Sequence, residues 1–180
     1  MLETELKALL TKDQYQTLLT MFDYTKEVTQ TNSYYISADN ALKSQGITFR
    51  IRTIGDIHTV QIKKHINKQG GLQVSEEREF KIDDIPPEFT EEEVYLYTGI
   101  KTTVSLIGEL TTLRMSCMFC DGVEICLDKS TYLGKTDYEI EVEYTSPVPD
   151  KLINELGEID ITFNSPTPGK YSRFLSRLLG

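Results

Sequence analysis

Glu3, Glu5 and Lys7 stand at every second position near the start of the chain, while Leu2, Leu6 and Ala8 occupy the alternate places. On a β-strand, side chains two apart share a face, so this spacing puts a charged row on one side and an apolar row on the other. The pattern recurs. Arg50 and Arg52 oppose Phe49 and Ile51; Gln61 and Lys63 oppose Val60 and Ile62; Glu77 and Glu79 oppose Val74 and Phe80. Further on, Arg114 and Ser116 oppose Leu113 and Met115, Glu124 and Asp128 oppose Ile125 and Leu127, and Glu139, Glu141 and Glu143 oppose Tyr138, Ile140 and Val142. A single strand of this kind is explained by a half-buried sheet whose polar face meets water. The set asks for more, because like charges on one face repel unless they converge on ions of opposite sign. Carboxylates from several strands are hard oxygen ligands for Mg²⁺ or Mn²⁺. Arginine forks and lysine point charges suit phosphate. Together they describe a site for a metal-bound polyphosphate.

The elements that must position these rows follow from periodicity and turn chemistry. A strand fits residues 2–8, and Thr11 with Gln14 forms a capping box opening a helix to about Phe22. Strands are expected over 27–36, 47–54, 57–65 and 73–82, with a short helix over 38–43 capped by Ser37 and a hairpin through Gly55-Asp56. Acids after Thr90 mark a helix over 90–97. Strands over 112–120, 123–132 and 137–145 follow, the first two joined by Asp121-Gly122, and helices over 149–156 and 170–179 close the chain. The layout is α+β, with roughly eight strands and peripheral helices, and consecutive strands favour antiparallel pairing. If the sheet closes on itself, the apolar faces pack outward against the helices and the charged faces turn in, the reverse of most small barrels.

Composition sets the outer bounds. The 180 residues fit one domain, and no shift in composition marks a linker. A net charge of −9 disfavours nucleic-acid and anionic-membrane partners, which need a broad basic field. No apolar run reaches the roughly 20 residues of a membrane span, and the acidic amino terminus is unlike a signal peptide, so a cytoplasmic protein is expected, monomer or homodimer. Cys117, Cys120 and Cys126 are read as free, buried or half-buried strand thiols; Cys117 and Cys120 point to opposite faces and no second pair completes a zinc shell. Gly134-Lys135-Thr136 ends like a phosphate-binding loop but lacks the earlier glycine and precedes a strand. His65 shares the face of Lys63 and is expected at the surface.

The ordered features resemble the CYTH family, also called triphosphate tunnel metalloenzymes. Glu3-Thr-Glu5-Leu-Lys7 matches its ExExK signature, and Thr31 to Tyr35, Phe49-Arg50-Ile51-Arg52, Lys63, Glu77 and Glu79, Arg114, Asp128 and the acidic strand 139–143 follow in family order. The resemblance spans the chain. It implies an eight-stranded antiparallel β-barrel forming a tunnel, with a divalent ion, Mg²⁺ or Mn²⁺, and a triphosphate inside. Glu3, Glu5, Asp128, Glu139 and Glu141 would hold metal; Glu77 and Glu79 would serve a second metal or orient cations; Lys7, Arg50, Arg52, Lys63 and Arg114 would grip phosphate. Lys170 resembles a family lysine that closes on the tunnel, although Lys170, Arg173 and Arg177 together also fit a solvated helix face. Glu143 stays open.

The activity so implied is hydrolysis of a triphosphate: inorganic triphosphate by preference, thiamine or nucleoside triphosphate as alternatives. A class IV adenylyl cyclase making cyclic AMP from ATP is the second expectation. Such cyclases tend to carry a His-Phe pair upstream of ExExK, where Met1 leaves no room. A non-catalytic polyphosphate or nucleotide binder is the third.

Overall fold

The computed structural model describes residues 1–180. Its strands are β1 (Leu2–Leu10), β2 (Lys26–Ile36), β3 (Ile47–Ile54), β4 (Ile57–Gln69), β5 (Leu72–Ile82), β6 (Glu88–Phe89), β7 (Val104–Cys120), β8 (Val123–Tyr132) and β9 (Lys135–Tyr144). The helices are α1 (Lys12–Met21), α2 (Ala41–Ser44), α3 (Glu91–Thr98), α4 (Asp150–Gly157) and α5 (Lys170–Leu178). Eight strands run in the order β2-β3-β4-β5-β1-β9-β8-β7, and β7 pairs back to β2, closing an antiparallel barrel. β6 lies outside, on the edge of β7. No helix is long and apolar enough to cross a membrane.

Local chemistry accounts for several boundaries. Thr11 Oγ1 accepts from Gln14 N at 3.2 Å and Gln14 Oε1 accepts from Thr11 N at 2.9 Å, the reciprocal box that starts α1. Thr90 and Glu93 repeat the device at α3. Gly122 takes a φ of 73° in the β8 hairpin, a left-handed turn that a side chain disfavours.

Three expectations are corrected. β7 begins at Val104, well before the expected 112, because a bulge at Gly108 breaks the alternation that would have announced its first half. A Cβ on Gly108 would stand 2.9 Å from Phe174 Cζ, so the bulge is where α5 packs. The helix expected over 38–43 is the single turn α2 with Asn40 before it; Ser37 Oγ accepts from Leu42 N at 3.4 Å without forming the cap. β4 continues past residue 65 through a bulge between His65 and Asn67.

The main apolar cores lie outside the barrel. Tyr15 and Leu18 of α1 and Leu152 and Leu156 of α4 cover Ile125, Leu127, Ile140 and Val142. Leu42, Phe89 and Val94 cover Tyr35, Phe49, Ile51, Val60 and Ile62 on the other side. Each such buried side chain contributes roughly 1.5–3 kcal/mol. Because these cores hold the barrel from without, its bore is free to be polar. A smaller group, Tyr34, Leu110, Tyr132 and Phe174, plugs one end of the bore beneath α5.

Candidate active site

Pairing register decides which charges meet. Lys7 stands opposite Glu141, Glu5 opposite Glu143, Lys63 opposite Glu77, and Arg114 opposite Asp128. Their side chains share the inward face and line a narrow cleft, partly open to solvent, on which Tyr171 is the single hydrophobic side chain. All the cations singled out in the sequence reach it: Lys7, Arg50, Arg52, Lys63, Arg114 and Lys170. So do Glu3, Glu5, Glu77 and Glu141, together with Glu143. Asp128 and Glu139 are fully buried beneath them. Glu79 stands apart: it is exposed, accepts from Gln61 Nε2, and does not line the cleft.

α5 is delivered by a strap of backbone. Gly71 N donates to Phe163 O at 2.6 Å, Thr167 Oγ1 donates to Lys7 O at 3.2 Å and Gln73 Nε2 donates to Thr167 O at 3.0 Å. The helix then opens directly into the bore. Lys170 and Arg173 are both buried, and only Arg177 remains at the surface, so the solvated-face alternative holds for the last of the three alone. Arg173 Nε donates to Asp137 at 3.0 Å and its Nη1 to Glu139 at 2.7 Å. The spacing of Lys170 and Arg173, three apart on a helix, was the available signal for it.

One group of carboxylates is already neutralised by the chain. Lys170 Nζ lies 2.8 Å from Asp128 Oδ2 and 2.8 Å from Glu141 Oε1, and also contacts Glu139. Arg114 binds Asp128 with two parallel bonds of 2.8 and 2.7 Å and contacts Glu141. Lys7 bridges Glu5 at 2.9 Å and Glu141 at 3.0 Å. Burial alone would raise these carboxyls, yet Lys170, Lys7 and Arg114 hold Glu141 well below the usual carboxylate range, and Arg114 and Lys170 hold Asp128 low.

A second group shares its cations with the first, Lys7 between Glu5 and Glu141 and Arg114 between Glu143 and Asp128. Carboxylate oxygens of Glu3, Glu5 and Glu143 lie within 4.8 Å of one another. Lys63 serves Glu3 and Glu77, the latter at 3.0 Å, and stands 3.7 Å from Glu5. Glu143 has one cation, Arg114, at 3.1 Å. Burial, reinforced by Glu141, Glu3 and Glu5, pushes the Glu143 carboxyl up to about 7. Three hard oxygen donors within reach of one ion fit a divalent cation, and their cations Lys63, Lys7 and Arg114 are each shared with a further carboxylate, Glu77 or Glu141.

The arginine wall is of opposite sign. Arg50 Nε donates to Gln61 Oε1 at 2.9 Å and Arg52 Nε to Asn32 Oδ1 at 3.1 Å. Neither guanidinium makes an ion pair, and neutral amides hold both by one edge, leaving the other groups toward the cleft. Burial, with the fields of Arg50 and Arg114, pushes Arg52 down to about 9. An anion in the cleft would relieve that repulsion. Gln61 and Asn32 were missed as orienting residues because an inward amide looks like any polar strand position. His65, expected at the surface, is half-buried and lines the cleft. Two thiols match the expected burial, Cys117 in the outer core and Cys126 3.8 Å from Glu143, whereas Cys120, at the last position of β7 beside the Asp121-Gly122 turn, is exposed.

Residues 1–170 match the family model described as the CYTH domain. The chain belongs to the CYTH domain family. Among curated proteins, the CYTH chain is 27% identical over 147 residues to the candidate triphosphatase YjbK of Bacillus subtilis (strain 168), covering 79% of this chain and 77% of that one. Among solved structures, HpAC1 from Hippeastrum superposes with a TM-score of 0.77 at 24% identity, covering 97% of this chain and 95% of that one. It is described as a candidate adenylyl cyclase that reveals a dominant triphosphatase activity. A candidate adenylate cyclase of Bacillus halodurans gives a TM-score of 0.70 at 26% identity, with 96% of each chain covered. The likeness to HpAC1 shows the fold; the family match rests on the domain model.

Proposed function

We propose that this CYTH protein hydrolyses a triphosphate, with a divalent ion, Mg²⁺ or Mn²⁺, held at Glu3, Glu5 and Glu143. The observation that carries the reading is the opposition inside one cleft of two guanidiniums without ion pairs, Arg50 and Arg52, to the carboxylates of Glu3, Glu5 and Glu143, whose oxygens lie within 4.8 Å of one another. The name of YjbK as a candidate triphosphatase agrees with it. When bound, the ion supplies charge neutralisation and polarisation of phosphate oxygens. Arg50, Arg52 and Lys63 grip and orient the phosphate chain, because a loose phosphoryl transition state needs little from a protein beyond position and charge. Lys7, Arg114 and Lys170 fix Glu141 and Asp128 and keep the floor of the cleft rigid. The plug beneath α5 closes one end to bulk water. Water then forms a bond to phosphorus as a bridging P–O bond breaks, giving orthophosphate and the shortened chain.

Phosphate release from inorganic, thiamine and nucleoside triphosphates, each with Mg²⁺ and with Mn²⁺, tests this directly. Turnover that disappears when Arg50 and Arg52 are both changed to alanine is the expected result. Binding without any product would make the protein a polyphosphate or nucleotide binder, and cyclic AMP from ATP would make it a cyclase; either outcome defeats the hydrolytic reading.

A further inference from the structure

Two spaces adjoin the cleft, and their walls are of opposite charge. One runs between α5 and the segment leading from α2 into β3, and it shares Thr48, His65, Tyr171 and Ser172 with the cleft. Ser172, Leu175, Ser176 and Leu179, one face of α5 at three- and four-residue spacing, supply its helical wall. None of the residues that plug the bore lines it, so this passage runs past the plug. Lys43 and Lys68 stand along it, both exposed, and no carboxylate does.

The other space lies at the amino terminus and shares Glu3, Glu77 and Glu143 with the cleft. Glu124 adds a fourth carboxylate, and the positive group on this wall is the Met1 amino group, which donates to Glu77 O at 2.6 Å. The two spaces have no residue in common. A triphosphate keeps several negative charges even with one divalent ion bound, so the amino-terminal opening repels it and the passage beside α5 attracts it.

The groups already present report the field along this passage. Burial, followed by the fields of Lys7 and Lys63, holds the Lys68 ammonium below its usual range, so the positive potential of the cleft reaches outward as far as Lys68. Where passage and cleft meet, His65 keeps a buried Nδ1 with no hydrogen-bond partner in the protein, a place for a phosphate oxygen to be received. Such a lane matters here because the chain carries a net charge of −9 and repels polyanions at long range.

We propose that the triphosphate enters the cleft through the passage beside α5, steered by Lys43 and Lys68, an inference that rests on the triphosphate-binding part of the reading above. The two lysines touch no reacting group. They act on the rate of arrival and leave the bound state to Arg50, Arg52 and Lys63. Exposed charges act over about 8 Å at physiological ionic strength, so their pull covers the last stretch of approach and weakens as salt is added.

The test measures association and dissociation rate constants of the imido analogue of inorganic triphosphate in Mg²⁺, from ³¹P line shapes at low and at physiological ionic strength. Wild type is compared with Lys43→Glu and Lys68→Glu, both at exposed positions, and with Lys26→Glu. Lys26 is exposed beside Glu124 of the acidic opening, 3.9 Å away, so its reversal changes the net charge equally at the other side. At low ionic strength, Lys43→Glu and Lys68→Glu are each expected to slow association about fivefold, with dissociation and the Lys26→Glu rates within about twofold of wild type. The contrast should shrink as salt rises. Equal slowing in all three variants would reduce the effect to net charge, and faster dissociation with unchanged association would make the lysines contacts of the bound chain; either result overturns the proposal. Binding without cleavage sinks the hydrolytic reading alone, since the rate contrast still decides the route, whereas a wild type that binds no triphosphate overturns both.

Discussion

Lys170 Nζ, from the last helix, lies 2.8 Å from Oδ2 of Asp128, a carboxylate with no solvent exposure in the middle of β8. The contact places a protein cation among Asp128, Glu139 and Glu141, whose oxygens lie within 4.8 Å of one another. Removing one partner of a buried ionic set leaves the others uncompensated, so Lys170→Met is expected to cost roughly 3 kcal/mol of stability. The freed carboxylates then gain room for a divalent ion. Thermal denaturation with and without Mg²⁺ checks this: the variant should melt lower and gain more from Mg²⁺ than wild type does.

Arg52 should behave in the opposite way. It is held by Asn32 and makes no ion pair, and burial with neighbouring cations already disfavours its charge. Arg52→Leu is therefore expected to leave stability unchanged or raise it by about 1 kcal/mol, while triphosphate affinity falls on the order of 100-fold as a desolvated charge-assisted contact is lost. Denaturant unfolding and calorimetric titration of the same sample separate the two effects.

Glu143 gives a pH dependence with a definite sign. Its carboxyl is raised from 4.5 to about 7 by burial and by Glu141, Glu3 and Glu5. The unfolded chain releases this proton near pH 4.5 and the folded chain near pH 7, so the group's favourable contribution is complete below 4.5 and is lost as pH climbs to 7. Allowing for its partial exposure, the loss is about 2 kcal/mol. Melting curves in a chelator should show wild type losing stability relative to Glu143→Gln between pH 5 and pH 8. Parallel profiles would contradict the assignment.

Gly71 tests the strap. A Cβ there would stand 2.6 Å from Lys7 O and 2.9 Å from Phe163 O, both backbone atoms with little freedom to move. Gly71→Ala should destabilise the fold by about 1–3 kcal/mol and loosen α5. Amide exchange across 163–173 should accelerate more than exchange in β3.

Much of the site could be read because its charges alternate within single strands. Glu3, Glu5 and Lys7 declare a shared face without any knowledge of their neighbours, and so do Arg50 and Arg52. What depends on pairing between distant strands could not be read. Glu143 became part of the cleft only through its register against Glu5, and Glu77 and Glu79 share a face but differ in position along the bore, which leaves one beside Lys63 and the other exposed. The first half of β7 was hidden by its bulge at Gly108, which exists to admit Phe174 from the far end of the chain. Arg173 depended on where a helix docks, a tertiary fact with only a spacing hint in the sequence.

The most direct measurement is a crystal of the protein grown with Mn²⁺ and the imido analogue of inorganic triphosphate, with data collected for anomalous scattering. The account predicts a manganese peak coordinated by Glu3, Glu5 and Glu143, and phosphate density running along Arg50, Arg52 and Lys63. Manganese bound only on the outer surface, or a bore that stays free of phosphate at saturating concentrations, would contradict it.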